Sequence, residues 1–140
     1  MRGDRMQHRV NETLEYVISL AVHVRRGDIS TATLTVLIEL GFQTHVDGFV
    51  YLRKALQMRC DKADMRLSDI YREIADACDI SISSRQIEQA IITAIDLAWQ
   101  NRDNEKWSYF FREEFLETKP SNKVFIAQLA CFLELWRDCC

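Results

Sequence analysis

An all-α domain is the fold class that this sequence predicts, and three observations carry the prediction. One proline and four glycines in 140 residues leave little punctuation, which favours long helices with short connections. Apolar residues recur at three- and four-residue steps through most of the chain, most regularly from Leu67 to Trp99. No pair of segments alternates in a way that would make two strands for a sheet. With 48% apolar residues, a chain of this length forms one domain with a sizeable core.

The elements follow in order. Residues 1–10 are polar and basic. Asn11 caps a helix through Val24 on the stripe Leu14, Val17, Ile18, Ala21 and Val22; the same segment also alternates like a strand, but the chain offers no partner. Residues 1–29 form an N-terminal extension, and 30–138 the main domain. Ser30 or Thr31 starts a helix through Leu40 with Leu34, Leu37 and Ile38 as its apolar side, and Gly41 stops it. A helix from Gly48 to Cys60 places Phe49, Leu52 and Leu56 on one face, extended by Tyr51 and Ala55. A charged connector, DKADMR, leads into a helix whose stripe is Leu67, Ile70, Tyr71, Ile74, Ala75 and Cys78. After a short polar break comes the longest helix signal, with Ile87, Ile91, Ala94, Ile95 and Ala98 in line and Ser83 or Ser84 as its cap. Residues 101–104 interrupt the chain before Trp107, Tyr109, Phe110, Phe111 and Phe115, a core cluster against the long helix. Ser121 caps a final helix that buries Phe125, Ile126, Leu129, Phe132, Leu133 and Trp136. The total is six or seven helices, two of them joined as a helix-turn-helix whose second member would enter the major groove.

Composition narrows the function. The net charge of −3 and pI of about 5.6 do not favour nucleic acid, because duplex binders carry a basic face. Cys60, Cys78, Cys131, Cys139 and Cys140 contain no C-x-x-C pair and read as small thiols in a reducing cytosol. His8, His23 and His45 are too scattered to ligate a metal. The apolar run at residues 16–24 is too short to span a membrane and lacks a cleavage site, so the protein reads as cytoplasmic. No phosphate loop, nucleophile elbow or zinc helix motif is present. The expectation is therefore a protein that is not an enzyme, with no cofactor, metal or small-molecule substrate.

Three segments resemble a known family. GFQTHVDGFVYLRKAL, residues 41–56, is similar to the entry segment of the C-terminal effector domain of the stage-zero sporulation response regulator, H-I-K-G-Y-x-Y-L-R-x-A. The matches are His45, Gly48, Tyr51, Leu52, Arg53 and Ala55. AIITAIDLAW, residues 90–99, resembles the family's A-I-R-H-A-I-E-V-A-W. KPSNKVFIA, residues 119–127, resembles K-P-T-N-x-x-F-I-A, matching at Lys119, Pro120, Asn122, Phe125, Ile126 and Ala127. The resemblance covers about residues 31–136. It implies a six-helix effector domain whose helix-turn-helix reads promoter DNA, often as a tandem dimer, in spore-forming Firmicutes. It also implies transcription regulation in sporulation. The family places a phosphorylated receiver before this domain, and the thirty residues here are too few to hold one.

The candidate surface departs from the family. The recognition helix there begins S-R-V-E-R-A-I-R-H; here Gln86, Gln89 and Ile92 stand at three arginine positions and Thr93 at the histidine. Arg85 is the one cation of the helix. Residues 67–102 hold three arginines and six carboxylates, a local charge of −3. The candidate readout residues are Ser84, Arg85, Gln86, Gln89, Ile92 and Thr93, with glutamines suited to adenine edges. Arg53, Lys119 and Lys123 are candidate DNA-backbone contacts, and with Lys54 and Arg85 they would make up any basic stripe. Arg102, Asp103, Glu105 and Lys106 are candidates for contact with the RNA polymerase sigma subunit. Two expectations follow: a regulator that binds promoter DNA weakly, and alternatively a stand-alone interaction module pairing with itself, as a homodimer, or with a sporulation regulator. Ile92, apolar where the family carries a cation, supports the second.

Overall fold

The computed structural model describes residues 28–139 and, before them, Glu15 alone; the helix expected at 11–24 lies outside the described residues. Among residues 28–139 six α-helices follow one another: α1 (Ile29–Glu39), α2 (Asp47–Asp61), α3 (Leu67–Ala77), α4 (Ser84–Gln100), α5 (Asn104–Ser108) and α6 (Asn122–Cys139), with a 3-10 turn at Glu113–Phe115. No strand occurs among the described residues.

Local chemistry sets the helix ends. Asp28, rather than Ser30 or Thr31, caps α1: its carboxylate accepts from the Thr31 amide at 3.0 Å and the Thr31 hydroxyl at 2.6 Å. A carboxylate at this end also meets the positive pole of the helix dipole. The other end closes as a Schellman motif. Gly41, at φ +92°, donates to the Ile38 carbonyl, and Phe42 donates to that of Leu37. A side chain at Gly41 would be strained in this conformation.

This start sets the orientation of α1. Ala32, Thr33, Val36 and Leu37 are buried, whereas Leu34 is only half-buried and Ile38 is 52% exposed. Ile38 is therefore not the core residue that periodicity suggested. Thr33 is buried because its hydroxyl donates to the Ile29 carbonyl at 2.6 Å, which removes the cost of an unpaired polar group.

Helix α2 is the hub and packs on α1, α3, α4 and α6. Phe49, Tyr51, Leu52, Ala55, Leu56 and Cys60 are all buried, as the stripe predicted. Its first turn lies against α4. A Cβ on Gly48 would sit 2.0 Å from the Ala90 carbonyl oxygen, so only glycine lets the two backbones approach this closely.

The aromatic cluster fills the gap between α4, α1 and α6. Trp107 is fully buried, stacks on Phe111 at 5.3 Å and meets Trp99 and Phe125 edge-on. Its indole N–H donates to the Leu40 carbonyl at 3.1 Å, fastening α5 to the end of α1. Phe110 packs edge-on against Phe132 at 4.7 Å. Phe115 stands aside in the 3-10 turn, half-buried. In α6 every stripe residue is buried from Phe125 to Trp136, and the Ser121 hydroxyl accepts from the Val124 amide. Cys60 is buried, Cys78 half-buried and Cys131 exposed.

Candidate nucleic-acid interface

Helices α3 and α4 form the helix-turn-helix. Six residues, 78–83, connect them, more than the about three or four of the common motif. Within this connection Ile80 is 66% exposed. Ser83, not Ser84, caps α4, and it does so reciprocally: the Ser83 hydroxyl accepts from the Gln86 amide at 3.2 Å while the Gln86 side-chain oxygen accepts from the Ser83 amide at 2.8 Å. The capping-box pattern, serine followed three residues later by glutamine, is legible in S-S-R-Q and was the available signal.

Burial divides α4 cleanly. Ile87, Ile91, Ala94, Ile95 and Ala98 face the core. Arg85, Gln86, Glu88, Gln89, Thr93 and Gln100 are exposed. Among them Arg85, Gln89 and Thr93 share the outermost face at four-residue steps. Gln86 lies beside them with its amide turned back into the capping box. The Thr93 hydroxyl donates to the Gln89 carbonyl at 3.1 Å.

One flank of α4 borders an open groove of about 500 Å³ lined by Leu67, Tyr71, Glu88, Ile92, Ile95 and residues 119–123. Ile92 is half-buried there. Its position belongs to the groove floor more than to the outward face. Behind the groove, Asn122 is buried and donates to the Tyr71 hydroxyl and to the Glu88 carbonyl, each at 3.1 Å. Burial pushes the Tyr71 phenol above its ordinary 10.0; the Asn122 hydrogen bond opposes this shift and the Glu88 charge adds to it.

The cations are dispersed. Lys119 pairs with Asp96 of α4. Lys123 is exposed on the groove rim, and Arg85 is exposed at the start of α4. Arg53 is half-buried on α2, where its guanidinium donates to the Ser30 hydroxyl at 2.8 Å and so faces α1; Lys54 beside it is exposed. Of the five cations that would make up a basic stripe, Arg53 is held by the Ser30 hydroxyl of α1 and Lys119 is paired with Asp96. Carboxylates line the same helices: Glu73, Asp76 and Asp79 are exposed on or just after α3, and Arg72 makes a 3.7 Å ion pair with Asp69.

The segment after α4 is mostly committed to internal contacts. Arg102 lies 3.7 Å over the Trp99 ring and donates to the Trp99 carbonyl at 2.8 Å. Asp103 caps α5 by accepting from the amides of Glu105 and Lys106, and Lys106 makes a 3.2 Å ion pair with Glu39. Glu105 is exposed; its carboxylate accepts from the Tyr109 hydroxyl. Among the described residues no group of three or more His, Cys, Asp or Glu is placed to hold a metal, and no helix is long and apolar enough to cross a membrane.

Over residues 33–133 the chain is similar to the family described as sporulation initiation factor Spo0A C terminal. The match takes in α1 from Thr33, both helices of the helix-turn-helix, the groove and α6 as far as Leu133.

Proposed function

The chain belongs to the Spo0A C-terminal family, and from that premise we propose that it is a helix-turn-helix transcriptional regulator domain that lays α4 in the major groove of promoter DNA and binds weakly. The family is a DNA-binding effector domain of sporulation regulation and not a family of enzymes. A promoter-binding role places the protein in the cytoplasm with the chromosome.

The observation that carries the reading is the exposed face of α4. It presents Arg85, Gln89 and Thr93 outward on a helix of 17 residues that is fixed from behind by α2 and α6. Rigid presentation of polar side chains along one helix is what base readout in the major groove needs. Weakness follows from the charge count. Non-specific affinity comes chiefly from phosphate neutralisation, and among the described residues near α4 the exposed cations without an acidic partner are Arg85 and Lys123.

Fluorescence anisotropy of a labelled duplex across a salt series tests both parts. Two or three phosphate contacts give a log–log slope of about −2 to −3. A slope steeper than about −5 would overturn weak anchoring, and no binding at low salt to family-type or random duplex would overturn the regulator reading.

The groove floor supports a second reading, a protein-interaction module that pairs with its own copy or a sporulation regulator. Leu67, Ile92, Ile95 and Pro120 give that floor an apolar character. Sedimentation velocity with and without Ile92→Arg separates the two: a dimer lost on substitution favours the module, a monomer throughout favours the DNA reading. Contact of the sigma subunit with this domain would fall to the segment of Arg102, Asp103, Glu105 and Lys106, each of which already has an internal partner.

A further inference from the structure

We infer that α4 reads an A·T step, with Gln89 recognising adenine and Thr93 recognising the neighbouring thymine through its methyl group. The inference rests on the proposed placement of α4 in the major groove and goes beyond it by naming the sequence read.

Three internal hydrogen bonds carry the argument. The first removes Gln86. Its side-chain oxygen is engaged by the Ser83 amide at 2.8 Å in the capping box. An amide reads adenine by accepting from N6 and donating to N7 in one plane, and this one is turned toward the helix start.

The second bond completes the removal. The Gln86 backbone N–H donates to the Ser83 hydroxyl at 3.2 Å, which fixes the first turn of α4, and a Gln86 side chain that swung out would leave the Ser83 backbone N–H without its acceptor. Gln89, one turn later, is exposed, and its side-chain amide has no hydrogen-bond partner among the described residues. Both of its polar atoms are thus available for a bidentate contact.

The third bond defines what Thr93 presents. Its hydroxyl donates to the Gln89 carbonyl at 3.1 Å. With the oxygen turned back along the helix, the exposed part of the side chain is the methyl. A methyl in the major groove has one distinctive apolar partner, the C5-methyl of thymine. Gln89 and Thr93 lie one helical turn apart, about 6 Å along the axis. That separation suits neighbouring base pairs and not a single one. Arg85, a further turn toward the start, falls over the next position, a guanine or a phosphate.

The test is selection of the full chain on a random-sequence duplex pool at low salt, followed by anisotropy on the selected site. Wild type should enrich an A·T step. Gln89→Ala should lose the adenine preference, an effect of about five- to one-hundred-fold. Replacing the thymine by deoxyuridine, which deletes only the C5-methyl, should weaken wild type about three- to fivefold. It should leave Thr93→Ser unaffected, while Thr93→Val should remain sensitive. Both positions are exposed, and circular dichroism confirms that each of the three variants is folded. Binding of the pool without an A·T step, or equal deoxyuridine sensitivity in wild type and Thr93→Ser, overturns this inference and leaves the proposed function standing. Absence of any binding to the pool overturns both.

Discussion

Asn122 at the start of α6 donates its amide to the Tyr71 hydroxyl of α3 at 3.1 Å, across 51 residues of sequence. The same amide reaches the Glu88 carbonyl of α4 at 3.1 Å. One buried side chain thus ties both members of the helix-turn-helix to the last helix. Removing it leaves a buried phenol without its donor, which costs about 1–3 kcal/mol, and takes a second donor from a carbonyl that keeps its own helix bond. Asn122→Ala should therefore lower unfolding free energy by about 1–3 kcal/mol in urea titration. Tyr71→Phe removes only one of the two bonds and should cost about 1 kcal/mol. A double variant no worse than Asn122→Ala alone would confirm that Tyr71 acts through this contact.

Gly48→Ala sets two effects against each other. Alanine is the better helix former by about 1 kcal/mol. Its Cβ, however, would meet the Ala90 carbonyl oxygen at 2.0 Å and the Ala94 Cβ at 2.9 Å. The first of these is backbone, so relief requires α4 to move relative to α2, and overpacking of this kind costs about 1–3 kcal/mol. The clash should win, giving a lower urea midpoint together with amide chemical-shift changes centred on Ala90 and Ala94. An unchanged midpoint would mean that α2 and α4 slide apart freely.

Much of this fold was legible because a long helix with one apolar stripe has one way to face a core. In α6 the spacing alone identified all six residues from Phe125 to Trp136 that are buried. In α1 the same reasoning misplaced Ile38, since two adjacent stripes were available and the Asp28 cap selected the one through Ala32, Thr33 and Val36. Thr33 could not be read as core without knowing that its hydroxyl is satisfied by Ile29. The site was legible as a helix and a face. Its details depend on partners distant in sequence, such as Lys119 on Asp96 and Asn122 on Glu88, which leave no periodic trace.

The buried acids give the molecule an alkaline limit. Burial raises the Cys60 thiol from 9.0 to about 11, with Glu134 adding to the shift, and burial likewise raises the phenols of Tyr51 and Tyr71 above 10.0. A raised value means that the folded chain keeps a proton that the unfolded chain releases. The stabilisation is then complete below about pH 9 and declines as pH rises toward 11. The urea midpoint should fall between pH 8.5 and 10.5. Thiol labelling mapped by mass spectrometry should modify exposed Cys131 readily at pH 8 while Cys60 stays protected, because the thiolate is the reactive form.

Asp96 puts a negative charge on the flank of α4, the helix proposed to meet DNA. Its carboxylate pairs with Lys119, and both side chains are more than a third exposed. An exposed pair contributes only about 0–1 kcal/mol to stability, so Asp96→Asn should leave the unfolding midpoint nearly unchanged. Its effect on a polyanion should be larger: the substitution deletes a negative charge from the flank of α4 and frees Lys119 for a phosphate. Affinity for duplex at low salt should rise, and the log–log salt slope should steepen by about 0.9, the value of one added phosphate contact. Adding Lys119→Ala to the same chain should return the slope to that of wild type. If Asp96→Asn binds more tightly while its slope stays constant, the gain comes from relieved repulsion alone and Lys119 does not touch the backbone. If neither quantity changes, the flank formed by α4 and residues 119–123 does not face DNA.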